Sequence, residues 1–600
     1  MKRYFYLLVA VLFSGMLLSS CSSSDYESVP LQNISNEQAF DKLDSLGVKA
    51  KDVLNFIYGF LPKSQNRFDG NTNLLDCASD DGVTIQTGST EIFRLATGAY
   101  SATSILGSDM RWSNLYTLIR ISSNFVSNIG VVPVKDTVLS VKGVRLSQKV
   151  FWKSEARFIR ALAYFELIKR YGGVPLMGNH ARVLGENVEI PRSSFEDCVN
   201  YIVTECDQMK DSIWTNPIAA PSVNAHKPTV GAVLALKARV LLYAASPLFN
   251  EKRSTLTNPL TGYTDVSPNS VKARWKKAAD AAQAVINLNN YSLLSSFKHV
   301  FTTLVDDSKE ANKELIFQMQ FEKTNTSIET TFGPLGFSNN AKGNGNANPT
   351  QELVDAFPMN NGKAIGEADS GYDPSNPYDK RDPRLGYTVF CNGALWFNTP
   401  LQLYRGGLNN PIVSSTSVNK VTTKTSYYMR KFMGDFETAA STTGYVAQWH
   451  DMIYLRYAEV LLNYAEAANE YYDAPTDSIR LMITSLRKRA GIEAGTDGLY
   501  GLKANLTKAE MRDIIRNERR IELAFEEHRY WDIRRWMIAE TVLTEPLHGK
   551  VIIKEGGALS YSDIVVYTPY KIYSKKMYLY PISYDEVIKN SQMVQNPGWE

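Results

Sequence analysis

The stretch Phe151-Trp-Lys-Ser-Glu-Ala-Arg-Phe-Ile-Arg-Ala-Leu-Ala-Tyr-Phe-Glu-Leu-Ile-Lys-Arg-Tyr-Gly-Gly-Val-Pro-Leu176 decides the fold of this chain. No Pro or Gly interrupts it before the Gly-Gly pair, and the helix-favouring residues Ala, Leu, Glu, Arg and Lys recur in it. Lys153, Arg157 and Arg160 predict one charged stripe, while the rest of the circumference is apolar. We therefore expect a central helix that packs against neighbours on more than one side and ends at the Gly-Gly pair.

The first residues have the pattern of an exported lipoprotein. Lys2 and Arg3 precede an apolar run from Tyr4 to Leu18, which is short for a membrane span and typical of a secretory signal. Cys21 follows directly, at the position where lipoprotein processing needs a cysteine. We predict a signal peptide over residues 1–20, lipidation of Cys21 with acyl chains such as palmitate, and a polar tether over residues 21–35. An ordinary signal with a chance cysteine is the alternative.

Composition limits the function classes. The 600 residues carry 65 Lys+Arg against 62 Asp+Glu, and this near balance argues against a nucleic-acid partner. The 33 Tyr and 9 Trp suit stacking on sugars or peptides, and they suit a large core equally well. Four further cysteines lack CxxC spacing, so we expect buried thiols rather than a zinc site, with disulfides as the alternative. They are Cys77, Cys198, Cys206 and Cys391. We expect no metal and no cofactor.

The chain divides into two helical blocks around a loop-rich insertion. Residues 36–290 form the first block, and residues 291–600 form a second part whose insertion, about 290–450, is rich in Asn and Gly. The Ala-rich segments at 229–245 and 275–286 resemble tetratricopeptide helix pairs in style. Capping boxes are predicted at Ser193–Glu196 and Thr507–Glu510, and a strand at Glu314–Phe321. We predict a mainly α fold, with tetratricopeptide-like helix-turn-helix pairs packed against a loop-rich ligand-binding part with a few short strands, as one compact unit.

Several segments together resemble the SusD/RagB family of nutrient-binding outer-membrane lipoproteins. The resemblance covers nearly the whole chain after the leader, in one order. Its pieces are Cys21, Ala78-Ser-Asp-Asp81, Trp112-x-x-Leu-Tyr116, Glu155 through Pro175, Pro349 through Phe357, Arg381-Asp-Pro-Arg384, Arg456 through Ala467, Asn517 through Phe525, His528 through Asp532, and Gln595-Asn-Pro-Gly-Trp599.

The resemblance implies a fold and a partner. It implies four tetratricopeptide-like helix pairs packed against an irregular part that bears the ligand site. It also implies a TonB-dependent SusC-like β-barrel transporter that the lipoprotein covers. Ligands of the family are usually glycans and sometimes peptides, so a glycan is the expected ligand.

Two charged features allow a catalytic or a metal-binding interpretation. The cluster from Glu518 to Asp532 could supply an acid and a base, but paired charges along a helix, such as Arg519 with Glu522, explain it better. The adjacent carboxylates Asp80 and Asp81 could bind calcium or cap the next element, and one pair is weak evidence for a metal.

The ligand site is expected to consist of exposed rings in loops, because sugar C–H groups stack on aromatic faces while hydroxyls need planar polar partners. Trp396 and Tyr404 are the best candidates, since they lie in the loop-rich insertion. The remaining ring candidates are Tyr100, Phe332, Phe337 and Trp449, and the polar candidates are Arg94, Asp81 and Asn392.

These patterns predict a non-catalytic, surface-anchored glycan-binding lipoprotein of a TonB-dependent uptake system, located at the outer membrane and facing the exterior. The first alternative is a peptide-binding lipoprotein of the same type. A surface glycoside hydrolase and a scaffold that binds only proteins are the alternatives from other classes.

Overall fold

The quoted stretch forms most of one long helix, Gln148–Tyr171, and nearly every turn of it is buried. The predicted basic stripe faces a neighbouring helix: Arg157 and Arg160 both donate to Glu205, at 2.9 and 2.8 Å. The helix ends at Gly172, whose φ is +76°. A Cβ at the next position, Gly173, would lie 2.1 Å from the Ser193 carbonyl oxygen, so close backbone packing requires this glycine.

In this computed structural model, the described residues are 35–179, 186, 189–215, 227–251, 257–302, 312–319, 327–411, 423–448, 450–567 and 573–600. The helices of the first part are α1 (Asn36–Ala39), α2 (Val48–Tyr58), α3 (Glu91–Thr97), α4 (Trp112–Asn128), α5 (Gln148–Tyr171), α6 (Phe195–Met209), α7 (Val230–Ala245), α8 (Pro247–Asn250) and α9 (Pro268–Ile286). Those of the second part are α10 (His299–Thr302), α11 (Ser327–Phe332), α12 (Gln351–Ala356), α13 (Pro383–Thr388), α14 (Tyr457–Tyr471), α15 (Asp477–Ala490), α16 (Lys508–Glu522), α17 (Arg529–Arg535), α18 (Ala539–Val542) and α19 (Tyr584–Lys589).

The strands are short and pair in antiparallel twos. They are β1 (Gly82–Thr84), β2 (Thr137–Leu139), β3 (Arg145–Ser147), β4 (Leu315–Met319), β5 (Ala347–Pro349), β6 (Val389–Phe390), β7 (Leu395–Trp396), β8 (Thr399–Pro400), β9 (Tyr428–Met429), β10 (Met452–Arg456), β11 (Leu547–Glu555) and β12 (Ala558–Tyr567). The pairs are β1–β5, β2–β3, β4–β10, β6–β9, β7–β8 and β11–β12. The β1–β5 and β4–β10 pairs join segments that are far apart in the sequence, so they tie the loop-rich part to the helices.

The long helices pack in succession, which confirms the mainly α fold class. α4 contacts α5, α5 contacts α6, α6 contacts α7, α7 contacts α9, and α9 contacts α14, which in turn contacts α15 and α16. Small side chains, including Ala278, Ala281 and Ala282, are buried on α9 and allow this close approach. One continuous cluster of buried apolar side chains runs from Ala39 to Trp599, so it includes residues of both halves of the chain.

Buried charges hold the second helical block together. Glu522 at the end of α16 accepts from Arg384 at 3.0 Å and from Arg456 at 2.8 Å, and it also contacts Arg489. Glu314 accepts from Arg456 and Arg489 at 2.9 and 2.8 Å. We call these five residues the ionic core. Each of them is at most nine per cent exposed, so the charges are stabilised by each other rather than by water.

The predicted pair of Arg519 with Glu522 is wrong, although the structural interpretation of this charged cluster agrees with the fold. Arg519 donates instead to Asp532 of α17 over 2.7 Å. A helical spacing of three residues makes a pair available, but burial between helices gives each side chain a better partner across the interface.

Other local predictions had mixed outcomes. The capping box at Thr507 and Glu510 is confirmed. The capping box predicted at Ser193–Glu196 is wrong, because Ser194 is the N-cap and accepts from the Asp197 N–H. Residues 36–60, whose apolar spacing predicts helix, form the two helices α1 and α2, and the β11–β12 hairpin was not predicted. Cys77, Cys198, Cys206 and Cys391 are buried free thiols, as predicted. Within the described ranges, no helix is both long enough and apolar enough to cross a bilayer.

Candidate functional site

Trp396, the leading ring candidate, lies in the interior. It is fully buried in β7, where its Nε1–H donates to the Tyr445 hydroxyl over 3.2 Å. The rings of Phe390, Phe397 and Phe436 surround it at centroid distances of 4.8, 5.7 and 5.6 Å. The prediction of an exposed Trp396 is therefore wrong, because the β7–β8 turn folds this ring into an aromatic cluster.

Phe332 and Phe337 also serve packing. Phe332 is fully buried at the end of α11. Phe337 is half-buried, and its ring lies edge-on to that of Phe397 at 5.3 Å. The expectation of an exposed ring is wrong for Phe332, and Phe337 offers only part of its surface to solvent.

Tyr404 and Asn392 lie close together and keep some exposure. The Tyr404 hydroxyl donates to Gln402 Oε1 over 2.9 Å, and the Lys554 ammonium lies 4.9 Å from the centre of its ring. The Asn392 Oδ1 accepts from the Leu403 N–H over 2.8 Å. Both side chains are half-buried and partly committed to protein contacts. Their role as ligand contacts stays a prediction.

Tyr100 and Arg94 support a neighbouring loop. Tyr100 is buried, stacking on Trp599 at 5.4 Å, and burial raises the pKa of its hydroxyl to about 12. The Arg94 guanidinium donates to the Ala99 carbonyl over 3.1 Å and to the Ser104 hydroxyl over 2.6 Å. Both side chains therefore fix the segment 99–104, and the expectation of an exposed Tyr100 ring is wrong.

The adjacent carboxylates Asp80 and Asp81 bind arginines. Arg520 donates to Asp81 over 2.6 Å, and Arg529 donates to Asp80 over 2.8 Å. Burial opposes the charge on Asp80, but Arg520 and Arg529 outweigh it and hold the pKa of this carboxyl far below its usual value. This arrangement joins the start of β1 to α16 and α17, so Asp81 contributes to the framework.

The predicted site residues do not form one site. Trp396, Tyr404 and Asn392 share one segment of the loop-rich part, whereas Arg94, Tyr100 and Asp81 lie in the first part of the chain. Trp449 and Cys21 lie outside the described residues, and their predicted roles stay predictions.

A surface cleft of about 480 Å³ offers a better candidate. It lies between the segment after α2 and the segment before α4. We call it the outer cleft, and it is lined by Phe60, Leu61, Pro62, Lys63, Ser64, Asn66, Arg67, Asn71, Gly107, Ser108, Arg111, Asn114 and Ser327. Clefts of this size, with mixed polar and apolar walls, are typical of small-molecule sites.

Two phenylalanine rings stand at the edge of the outer cleft. Phe56, on the last turn of α2, is 58% exposed. Its ring lies 5.2 Å from that of Phe60, which lines the cleft. The two rings meet edge to face, with an interplanar angle of 87°, so they form no flat platform and the exposed Phe56 ring is the one suited to stacking.

Polar side chains beside the ring pair remain available. Asn71 and Asn114 are exposed, and no described residue hydrogen-bonds the side-chain amide of either one. Each amide therefore presents one acceptor and two donor hydrogens to the cleft. Asn66, by contrast, donates to the Asn71 carbonyl over 2.6 Å and fixes the turn that carries this amide.

A rigid ionic brace lies behind the cleft. Arg67 donates to Glu527 over 2.7 Å and to Asp109 over 2.6 Å, and Asp109 also accepts from Arg170 of α5 over 2.7 Å. Burial opposes the charge on Asp109, but Arg170 and Arg67 hold the pKa of its carboxyl far below its usual value. The central helix thus positions the cleft wall directly.

An interior cavity of about 70 Å³ lies behind the same wall. It shares Phe60, Leu61, Pro62, Arg67 and Arg111 with the outer cleft. Burial, opposed by Glu166, lowers the pKa of the cavity-lining Lys169 to about 8. The volume suffices for a few water molecules but not for a sugar ring, so a ligand is expected in the outer cleft alone.

Sequence reasoning missed these cleft residues for identifiable reasons. Phe56 fits the apolar period of α2, and such a period does not mark a residue as exposed, although Phe56 faces solvent. Asn71 belongs to a short polar run, Asp69-Gly-Asn-Thr-Asn73, whose turn chemistry could have marked a candidate loop. Asn114 and Arg111 flank Trp112 and carried no signal of their own.

Comparisons with known proteins give one consistent family. The sequence model of the SusD family matches residues 313–599, and a second model, described as "Starch-binding associating with outer membrane", matches residues 76–242. SusD-like protein P2 of Formosa agariphila is 22% identical over 503 residues, which cover 81% of this chain and 80% of that protein.

Solved structures agree. A SusD-like protein from Bacteroides fragilis superposes with a TM-score of 0.71 at 25% identity, covering 94% of this chain and 100% of that one. A SusD-like carbohydrate binding protein from the same species has a TM-score of 0.67 at 23% identity, covering 91% and 98%.

Proposed function

The chain belongs to the SusD/RagB family, and from that premise we propose that it is a glycan-binding lipoprotein of the cell surface. It captures oligosaccharides or polysaccharides and delivers them to a TonB-dependent SusC-like transporter. The description of the matching N-terminal model supports association with the outer membrane. The lipid chains on Cys21 anchor the protein there, with the helical body facing the exterior.

The observation that carries this proposal is the outer cleft, where exposed rings adjoin unused amides. A sugar ring places its C–H face on Phe56 and its edge against Phe60, while its hydroxyls reach Asn71 and Asn114. Each ring contact contributes about 1 kcal/mol, and each neutral hydrogen bond contributes about 1 kcal/mol. A few such contacts give a dissociation constant of roughly micromolar to millimolar, which suits capture followed by release.

We propose that the protein binds its ligand without cleaving it. Glycoside hydrolysis uses a pair of carboxyl groups that flank the bond. The described lining of the outer cleft presents amides, hydroxyls and cations, and no carboxylate is among them. The nearby Glu527 is engaged by Arg67. This chemistry supports recognition rather than acid–base catalysis.

A panel of polysaccharides tests the proposal. The purified mature chain is run through native gels that contain each polysaccharide, and retardation identifies the ligand. Phe56→Ala is expected to weaken retardation about fivefold, because it removes one ring contact. Tyr584→Ala is the matched control, since this ring is similarly exposed, at 53%, on α19, which contributes no residue to the described lining of the outer cleft.

Two results would contradict the proposal. One is the absence of retardation with every polysaccharide in the panel. The other is release of reducing ends during incubation with the ligand, which would reveal a hydrolase. Membrane fractionation of Cys21→Ala tests the lipid anchor. The variant is expected to be lost from the outer-membrane fraction, and its retention there would contradict anchoring through lipid chains on Cys21.

A further inference from the structure

The outer cleft carries an excess of positive charge. Its described lining includes Lys63, Arg67 and Arg111 and no acidic side chain. Lys63 is exposed to solvent at the rim. The charges of the whole chain nearly balance, with 65 basic against 62 acidic residues. The excess in the cleft is therefore local, and a ligand can use it only where a cation has no acidic partner within the protein.

Arg67 is fully engaged. Its guanidinium contacts the carboxylates of Glu527 and Asp109 and the Ser108 carbonyl. These contacts satisfy its charge and hold it in the brace behind the cleft. Arg67 therefore has little left to offer a ligand.

Arg111 is not engaged in this way. Its one hydrogen bond within the described residues runs from Nη2 to the Phe60 carbonyl over 3.3 Å, and no carboxylate of those residues lies within ion-pair distance. Burial, and after it the neighbouring Arg67, lowers the pKa of its guanidinium, while Tyr454 and Glu166 oppose this shift only in part. A half-buried guanidinium with one weak contact retains most of its hydrogen-bonding capacity for a group that enters the cleft.

Arg381 provides a contrast within the same molecule. It also lacks a carboxylate partner in the described structure, yet it donates to the carbonyls of Pro377, Val354 and Phe357. The fold therefore satisfies an unpaired guanidinium elsewhere with three backbone acceptors. At Arg111 the described residues supply one such acceptor, the Phe60 carbonyl.

From this arrangement we infer that the outer cleft selects glycans carrying anionic groups, with Arg111 binding the anion of a sugar whose ring stacks on Phe56. The inference rests on the proposed function and names the class of glycan. A uronic-acid carboxylate and a sulfate ester share this chemistry, and both accept paired hydrogen bonds from a guanidinium. Arg111 contacts the carbonyl of Phe60, and the Phe60 ring packs against Phe56. The guanidinium and the ring pair therefore lie side by side.

Matched pairs of oligosaccharides test the inference by calorimetry with the mature chain. One pair is an oligogalacturonide and its methyl ester, and the other is a sulfated galactan oligosaccharide and its desulfated form. We expect at least one anionic member to bind about tenfold more tightly than its neutral partner, since a charged hydrogen bond is replaced by a neutral one. The pair that shows the difference identifies carboxylate or sulfate.

Variants locate the effect. Arg111→Gln is expected to abolish the difference between anionic and neutral members, whereas Arg111→Lys retains part of it. Arg145→Gln, on the exposed β3 strand, is the matched control and leaves it unchanged. Raising the salt concentration is expected to weaken only the anionic ligand. If Arg111→Gln fails to fold, the affinities of the wild-type protein for the ligand pairs still test the selectivity, and those of Arg111→Lys still test the role of Arg111.

The outcomes separate the two proposals. Equal affinity for the anionic and neutral members of both pairs would overturn the selectivity while leaving glycan binding intact. An anionic preference that survives in folded Arg111→Gln would overturn the assignment to Arg111. Absence of binding to any glycan, anionic or neutral, would overturn the proposed function together with this inference.

Discussion

The ionic core and the outer cleft use the same residue types in opposite ways. In the ionic core, Glu522 alone receives three arginines, and every charge is met by a charge of opposite sign. In the outer cleft, Arg111 has one weak contact, and two asparagine amides have none among the described residues. Satisfied polar groups fix a structure, whereas unsatisfied ones at a surface are available to a ligand. The difference separates framework from recognition.

The largest effect is expected where the ionic core is broken. Glu522→Gln leaves Arg384, Arg456 and Arg489 with one carboxylate fewer in a buried site. We expect the free energy of unfolding to fall by about 3–5 kcal/mol, measured by denaturant titration. Glu540→Gln on the exposed side of α18 is the control. A change below about 1 kcal/mol would show that these buried charges are not the framework's main support.

Acid should weaken the framework before it alters the cleft. Burial opposes the charge on Glu466 of α14, but Arg535 outweighs it and lowers the pKa of this carboxyl from 4.5 to about 2. A depressed folded-state pKa stabilises the fold above the unfolded value, and this stabilisation is lost as the pH falls from about 4.5 towards 2. The loss is roughly 1 kcal/mol at pH 4, roughly 2 kcal/mol at pH 3 and roughly 3 kcal/mol only below pH 2. Unfolding titrations at pH 7, 4 and 3 measure it.

Glu466→Gln provides the control for this pH dependence. The variant is less stable at pH 7 and should show a smaller further loss on acidification, because the titrating group has been removed. An unchanged pH dependence in the variant would assign the effect to other carboxyls.

Changes in the outer cleft should weaken ligand binding and leave the stability of the fold nearly unchanged. Asn114→Ala and Asn71→Gly each remove an exposed amide that supports no described contact, so stability should stay within about 0.5 kcal/mol. Glycine is used at position 71 because Asn71 has a φ of +69°, where alanine would be strained. Affinity for the glycan identified in the panel should fall about threefold to tenfold for each variant. Calorimetry and thermal unfolding on the same samples compare the two. A loss of stability without a loss of affinity would place these residues in the framework.

The smallest effect is expected at Tyr404. Its ring lies under Lys554 and its hydroxyl is bound by Gln402, so it resembles a framework residue more than a cleft residue. Tyr404→Ala is therefore expected to change glycan affinity by less than about twofold. A tenfold loss would show that the ligand extends to the loop-rich part, as the sequence first indicated.

The sequence predicted the framework well because its signals are local or compositional. The central helix followed from helix propensity and from the Gly-Gly end, and the cap at Thr507 followed from a spacing of three residues. The four thiols followed from the lack of CxxC spacing. These features depend on neighbours in the chain, which a sequence displays directly.

The site could not be predicted in the same way, because exposure is decided by tertiary packing. Trp396 lies in a loop-rich segment, yet the folded chain surrounds it with rings from residues as distant as Phe436. Phe56 lies in a helix with an apolar period, yet no element covers it. Whether Arg111 has an ion-pair partner depends on which carboxylates the fold brings near it. No local spacing in the sequence predicts these tertiary neighbours.

A crystal structure of the mature chain with an oligosaccharide that it binds tests the central claim most directly. We predict that the sugar occupies the outer cleft, with one ring stacked on Phe56 and an anionic group within hydrogen-bonding distance of the Arg111 guanidinium. Sugar density elsewhere on the molecule, with the outer cleft holding only water, would contradict the account.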